Sequence, residues 1–289
     1  MSQDAPSARE RQLARELRLL RMTVGLTGKD VAARLGWSTS KVSRIETGRI
    51  GIGQDDLESL FGLYEAPDDK AEHLRRLAAS ARTQGWWDAY ANSLSSGYSS
   101  LIKLEAGSAE LRCYCALVPH ALLQTPEYSR HVIQSTLQVP APTEIDRRID
   151  INRRRQAVLR RENPPMRLSA VIDEAAFRRP IRTADGRIDN SVTRAQFRRL
   201  AELSTWPNVT IQVLRFKSGI PPVTAGSFSI LESMATNTPD VVYLENKTRF
   251  FFIDTEREVH QYVQEFELLS SMALDPDDSR VFVERAAQR

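Results

Sequence analysis

The segment from Leu26 to Arg49 constrains the fold of this 289-residue chain more than any other stretch. Apolar residues spaced three and four positions apart predict two short helices there, and a hydroxyl residue that can cap the helix precedes each. Glycine ends each helix, because a residue without a side chain adopts the left-handed conformation at little cost. The caps are Thr27 and Ser38, the inward positions are Val31, Ala32, Leu35, Val42 and Ile45, and the end points are Gly36 and Gly48. We therefore expect two helices joined by a sharp turn at Gly36.

Three more amphipathic helices flank this pair. The first contains Leu13, Leu17, Leu20 and Val24 at spacings of four, three and four, and the others lie near residues 55–64 and 68–82. We predict that residues 1–82 form an all-α domain of five helices.

The net positive charge of the chain lies in this first part. Residues 1–51 hold ten basic and five acidic residues, whereas the rest of the chain has a small net negative charge. A basic module on a slightly acidic body indicates a polyanionic partner, and a helix-turn-helix can place its second helix in the DNA major groove. The outward face of that helix holds Thr39, Ser40, Lys41, Ser43 and Arg44. Arg44 can read guanine with two hydrogen bonds, and Lys29, Lys41 and Arg49 add attraction to phosphates.

The helix spacing also predicts an ion pair. Arg21 lies four residues after Leu17, and Glu46 lies four residues after Val42, so both sit beside apolar stripes. Each charge alone would be costly there, but together they can join the first helix to the third. The alternative is that both side chains reach solvent.

The elements Gly36-Trp37-Ser38, Val42-Ser43-Arg44-Ile45-Glu46 and Gly48-Arg49 resemble the Xre-type, lambda-repressor-like helix-turn-helix regulators. The resemblance implies a bundle of five helices in which Thr39, Ser40 and Arg44 reach base edges. It further implies that Ser38, Thr47 and the start of the second helix at Gly28 and Lys29 approach phosphates. The helix N-termini capped by Thr27 and Ser38 offer free N–H groups for the same purpose.

The rest of the chain predicts a connector and a larger domain. Residues 83–108 hold an aromatic run followed by a Ser/Gly-rich stretch, and residues 109–289 mix strand and helix patterns, which predicts an α+β domain. The two cysteines exclude a disulfide scaffold, and no apolar run is long enough for a membrane helix. We therefore expect a cytoplasmic protein that does not bind membranes.

Several stretches between residues 85 and 280 resemble the C-terminal domain of one branch of Xre-type regulators, which is called antitoxin-like. They are residues 85–87, 122–128, 171–180, 206–214 and 241–245. The resemblance implies a regulator that often works beside a small companion protein, and it names no ligand.

Three groups of residues in the larger domain bear on other functions. Asp173 and Glu174 follow a predicted strand, where paired carboxylates can hold a metal for phosphodiester hydrolysis, although such residues more often cap a helix. Cys113 and Cys115, with His120 and His131, fit no common zinc spacing and are more typical of a strand that faces a core. Arginines recur every seven residues in the predicted helix 143–162, at Arg147, Arg154 and Arg161 and at Arg148 and Arg155. These arginines form either a solvated face or an interaction surface.

We expect a sequence-specific transcriptional regulator without catalytic residues, metal or cofactor. Its partner is double-stranded DNA, and one recognition helix reads too few bases, so we expect a homodimer. The residues 109–289 would dimerise and sense an effector or a companion protein. The alternatives are a DNA-targeted metal-dependent hydrolase that uses Asp173 and Glu174, and an antitoxin-like protein-interaction module.

Overall fold

The computed structural model describes residues 8–81, 85–90, 94–136, 141–162, 164–182, 186–223, 226–234 and 239–288. The described residues before 108, together with Ser233 and Met234, form one compact unit. Most described residues from 108 onward form a second compact unit.

The first unit begins with five helices that share one core. These helices are α1 (Ala8–Thr23), α2 (Gly28–Leu35), α3 (Thr39–Glu46), α4 (Gln54–Leu63) and α5 (Asp68–Ala81). The core contains apolar side chains from all five, including the fully buried Leu17, Val31 and Leu74. The predicted fold class, a five-helix domain followed by an α+β domain, is confirmed.

The residues predicted as a connector contain structure that the sequence patterns did not indicate. A 3-10 helix covers Trp86–Tyr90, and α6 covers Ser96–Ala106. Leu101, Ile102 and Leu104 of α6 are buried, so tertiary packing stabilises a helix whose first turn is rich in poor helix formers.

The second unit is built on a six-stranded mixed sheet with the order β3-β2-β1-β4-β5-β6. The strands are β1 (Ser108–Cys115), β2 (Arg167–Asp173), β3 (Val209–Leu214), β4 (Phe228–Ser233), β5 (Val241–Glu245) and β6 (Phe250–Ile253). The first three strands are parallel, with Cys113 opposite Ala170 and Ala170 opposite Ile211, and β4, β5 and β6 are antiparallel.

Among the described residues, three α-helices lie between the parallel strands in chain order, and two more follow β6. They are α7 (Pro126–Thr136), α8 (Pro142–Arg155), α9 (Asn190–Leu203), α10 (Glu256–Met272) and α11 (Pro276–Ala286). The predicted helix 143–162 ends earlier, at Arg155, and a 3-10 turn follows it over Gln156–Leu159. The start of α11 covers the outer edge of β3, where the Val213 amide donates to the Ser279 hydroxyl over 2.9 Å. This contact satisfies a backbone group that an edge strand would otherwise leave unpaired.

Candidate nucleic-acid interface

The turn between α2 and α3 is fixed by local hydrogen bonds. Thr27 and Asp30 form a reciprocal capping box at the start of α2, and Gly36 ends that helix with a φ of +65°. The Ser38 side chain then accepts a hydrogen bond from the Lys41 amide and starts α3. Each contact satisfies a helix-end backbone group, so the sequence alone sets where both helices begin.

The two helices pack closely because small residues line their contact. Ala32 is buried against the core, and a Cβ added at Gly28 would lie 3.8 Å from Val42. Val31, Val42 and Ile45 are also buried, so the opposite face of α3 points outward.

Arg21 and Glu46 meet at the base of α3. The Arg21 Nε lies 2.6 Å from Glu46 Oε1, and Nη2 lies 2.9 Å from Oε2, which makes the pair bidentate. Arg21 also donates to the Leu26 carbonyl over 2.6 Å, and both side chains are largely buried. The hydrogen bonds to Glu46 raise the pKa of the Arg21 guanidinium. The pair joins α1 to α3 in a setting where both charges have partners.

Tyr64 lies in the same environment as this ion pair. Its hydroxyl is buried and has no hydrogen-bond partner among the described residues. Burial raises the pKa of this hydroxyl, and the negative charge of Glu46 raises it further. Tyr64 therefore stays neutral beside the ion pair.

The outward face of α3 is exposed. Thr39, Ser40, Ser43 and Arg44 are all exposed. Within the part of the chain that the structure describes, none of these four side chains forms a hydrogen bond or an ion pair. Three hydroxyls and one guanidinium thus keep their hydrogen-bonding capacity for another molecule.

Lys41 differs from the rest of this face. Its ammonium lies 2.8 Å from Asp56 of α4 and 3.9 Å above the centre of the Trp37 ring. A lysine held by a carboxylate and an aromatic face is less available for phosphate than the sequence pattern indicates. Asp56 is fifteen positions away, so no local pattern predicts this contact.

The other polar residues of the predicted site also fall into two groups: side chains that already hold backbone groups, and side chains without a partner in the described ranges. The hydroxyls of Thr27 and Ser38 accept backbone N–H groups, and the Thr47 hydroxyl donates to the Ser43 carbonyl over 2.8 Å. Lys29 and Arg49 are exposed and have no side-chain partner in the described ranges. Asp30 places a carboxylate at the start of α2, where hydrogen bonds from Thr27 lower its pKa. The spacing Thr27-x-x-Asp30 is the local sequence signal for this capping carboxylate.

The carboxylates considered for a metal site are bound by groups of the chain itself. Asp173 accepts hydrogen bonds from the Ala175 amide at 2.8 Å and the Tyr114 hydroxyl at 3.1 Å. Glu174 is buried, and its oxygens accept from Arg178 at 2.7 Å, Arg215 at 2.6 Å and the Phe216 amide at 3.1 Å. Burial alone would raise the pKa of Glu174, but these hydrogen bonds outweigh it and lower the pKa to about 2. The described residues hold no cluster of three potential metal ligands.

The cysteines lie in the interior, and the arginines of α8 have acidic partners on the same helix. Cys113 and Cys115 are buried with their sulfurs 3.9 Å apart, and His120 accepts a hydrogen bond from the Leu122 amide. On α8, Glu144 pairs with Arg147 and Arg148, and Asp150 pairs with Arg153 and Arg154, at 2.8 to 3.3 Å. Most exposed arginines of α8 are therefore neutralised by the same helix.

Comparison with known families adds two matches. A model described as a helix-turn-helix domain matches residues 12–74, which include α2, the turn and α3. A model described as a domain of unknown function, DUF5753, matches residues 98–285. Neither the curated proteins nor the solved structures gave a match. Among the described residues, no helix is both long and apolar enough to cross a membrane.

Proposed function

We propose that this chain, which belongs to the DUF5753 family and carries a helix-turn-helix domain, is a sequence-specific DNA-binding transcriptional regulator. In this proposal α3 enters the major groove. The observation that carries it is the exposed face of Thr39, Ser40, Ser43 and Arg44, whose side chains have no partner in the described chain.

The side chains on and beside this face suit separate tasks. The Arg44 guanidinium can donate two parallel hydrogen bonds to O6 and N7 of a guanine, which is a strongly discriminating contact. Thr39, Ser40 and Ser43 have short hydroxyl side chains that adapt to several bases or act through water. Lys29 and Arg49, at the start of α2 and after α3, would contact phosphates and add affinity without reading sequence.

Lys41, Thr27, Ser38 and Thr47 have a smaller part in the proposal than the sequence suggested. Their side chains already hold Asp56 or helix-end backbone groups. They would position α2 and α3, and the N–H groups at the helix starts would face the phosphates.

We also propose which type of regulator this is, how it assembles and what it senses. Residues 1–82 would bind DNA as an Xre-type domain, and residues 109–289 would dimerise and sense an effector or a small companion protein. A two-fold homodimer would read two half-sites about 34–36 Å apart. Support for this part comes from the family resemblance and from the small number of bases that one α3 can contact.

Selection of bound sequences from random DNA by the purified full chain tests the proposal. We expect enrichment of a site with two related halves. Arg44→Ala should weaken binding to that site by about 1–3 kcal/mol, because a bidentate base contact is lost. Arg76→Ala is the matched control, since Arg76 is an exposed arginine of the same unit and pairs with Glu72 at 3.5 Å. No enrichment, or equal losses in both variants, would contradict the proposal.

The hydrolase alternative stays a prediction that a cleavage assay with magnesium or manganese can test. We favour the regulator, because donors of the chain itself bind Asp173 and Glu174. The companion protein is tested by co-purification from cells that express both proteins.

A further inference from the structure

A concave pocket lies in the second unit where the 3-10 helix Glu174–Phe177, α9 and α11 come together. Its volume is about 230 Å³. Its lining includes three phenylalanines and three arginines, namely Phe177, Phe197, Phe282, Arg178, Arg179 and Arg194. The pocket follows the carboxyl end of β2, a parallel strand, and ligands of open α/β sheets bind outside such strand ends.

Three phenylalanine rings form the apolar part of the pocket. The Phe177 centroid lies 5.0 Å from that of Phe197 and 5.4 Å from that of Phe282, and the second pair is edge-to-face. Such ring pairs hold their relative geometry, so the rings offer a fixed surface for another flat, apolar group.

Two ion pairs of the buried Glu174 lie beside this ring cluster. Glu174 accepts from both Arg178 and Arg215, and the Arg215 guanidinium lies 4.7 Å from the centre of the Phe282 ring. Arg178 and Arg215 are therefore partly neutralised, and Arg215 packs against the Phe282 ring.

Arg179 and Arg194 are the lining charges that stay uncompensated. Neither forms an ion pair or a side-chain hydrogen bond with any residue of the described ranges. Arg198, one turn beyond Arg194, is exposed and lines a more open cavity that shares Arg194 with the pocket. Besides Glu174, the described carboxylates nearby include Asp189, which caps α9, and Glu284, which is exposed in the open cavity. The local balance of charge is thus positive.

From these observations we infer that the pocket binds a small aromatic carboxylate, with its ring against Phe177, Phe197 and Phe282 and its carboxylate on Arg194 and Arg179. An arginine fork matches a carboxylate with two parallel hydrogen bonds, and pockets that are apolar with a few convergent polar groups are typical ligand sites. The pocket volume suits one ring or two fused rings.

This inference deepens the proposed effector-sensing role and rests on it only for the consequence for DNA binding. The binding itself is independent, because the pocket residues all lie in the second unit. A failure to bind DNA would therefore leave the carboxylate site testable.

Isothermal titration calorimetry of the full chain with 1-naphthoate tests the site. The matched probe is 1-naphthamide, which has the same shape and no charge. We expect saturable binding of 1-naphthoate at one site per chain and at least about tenfold weaker binding of the amide, because the charge-assisted hydrogen bonds are lost.

Arg194→Gln should weaken 1-naphthoate binding by about tenfold or more. Arg199→Gln is the control on the same helix, because Arg199 pairs with Glu202 and lies over the Trp206 ring, outside the pocket. Arg179→Gln, at an exposed position, gives a second variant should Arg194→Gln fail to fold, and it should also weaken binding. Lack of saturable binding at millimolar 1-naphthoate, equal binding of the amide, or equal losses in Arg194→Gln and Arg199→Gln would overturn the inference.

Discussion

Helices α3 and α8 both carry basic side chains, yet their surfaces differ. Arg44 of α3 is exposed and has no partner in the described residues, whereas Arg147 and Arg148 of α8 share the carboxylate of Glu144. Asp150 neutralises Arg153 and Arg154 in the same way. The number of arginines in a segment is thus a poor guide to a polyanion-binding surface, and the acids three or four positions before them matter more.

The two helices also differ in how they are anchored. The α3 helix is tied to α1 by the bidentate, largely buried pair of Arg21 and Glu46. The ion pairs of α8 lie on its solvent side and within one helix. Buried pairs depend strongly on both partners, whereas exposed pairs contribute little, so the contrast can be tested by mutation.

The largest effect is expected for Glu46→Ala. It leaves the Arg21 guanidinium buried without its carboxylate, and should lower the free energy of unfolding of the first unit by about 3–5 kcal/mol. Glu144→Ala on α8 should cost less than about 1 kcal/mol. Denaturant unfolding of the full chain, with hydrogen exchange of α1–α5 peptides, measures both. Similar losses of unfolding free energy in the two variants would show that the buried pair does not stabilise the fold more than the exposed pairs do.

The next effect concerns the salt dependence of DNA binding. Arg49→Ala should reduce the slope of log Kd against log salt by about 0.9, since one phosphate contact is lost. Arg154→Ala should leave the slope unchanged, because Asp150 already holds that guanidinium at 3.0 Å. Fluorescence anisotropy over a salt series with the selected DNA site gives both slopes. A change of slope in Arg154→Ala would place α8 on the DNA.

A smaller effect is expected when Lys41 is released. Asp56→Asn removes the carboxylate that lies 2.8 Å from the Lys41 ammonium. This change should strengthen DNA binding by less than about 1 kcal/mol, because exposed ion pairs are weak. Glu58→Gln is the control, since Glu58 lies on the same helix and pairs with Arg75 instead. The same anisotropy assay compares them. Unchanged affinity in Asp56→Asn would mean that Lys41 has no role in binding.

The smallest effect tests whether neutralisation by neighbouring acids alone explains why α8 is a poorer polyanion-binding surface than α3. The double variant Glu144→Gln/Asp150→Asn leaves Arg147, Arg148, Arg153 and Arg154 of α8 without their acids. We expect a gain in non-specific binding to heparin or random DNA at low salt that disappears near physiological ionic strength. The check is heparin-column retention beside the unaltered chain, and equal retention at every salt concentration would count against this explanation.

Much of the first unit could be predicted from local signals. Thr27, Gly36 and Ser38 have the residue types that helix ends require, and the structure has those ends at these positions. Helical spacing also allowed Arg21 to meet Glu46, because each lies one turn beyond a core residue, but it left open the alternative that both side chains reach solvent. The start of α11 carried a signal as well, since Asp275 caps it and Pro276 occupies its first turn, yet the strand and helix patterns gave it no prediction.

Residues close together in the chain set where the short helices of the first unit begin and end, because capping and helical periodicity act over a few positions. Tertiary packing brings Asp56 to Lys41 and Glu174 to Arg215, and it places Phe177, Arg194 and Phe282 around one pocket. These contacts join residues that are far apart in the chain, and no local spacing encodes them. Packing of the core brings them together, and it therefore decides which charged side chains remain free to bind another molecule.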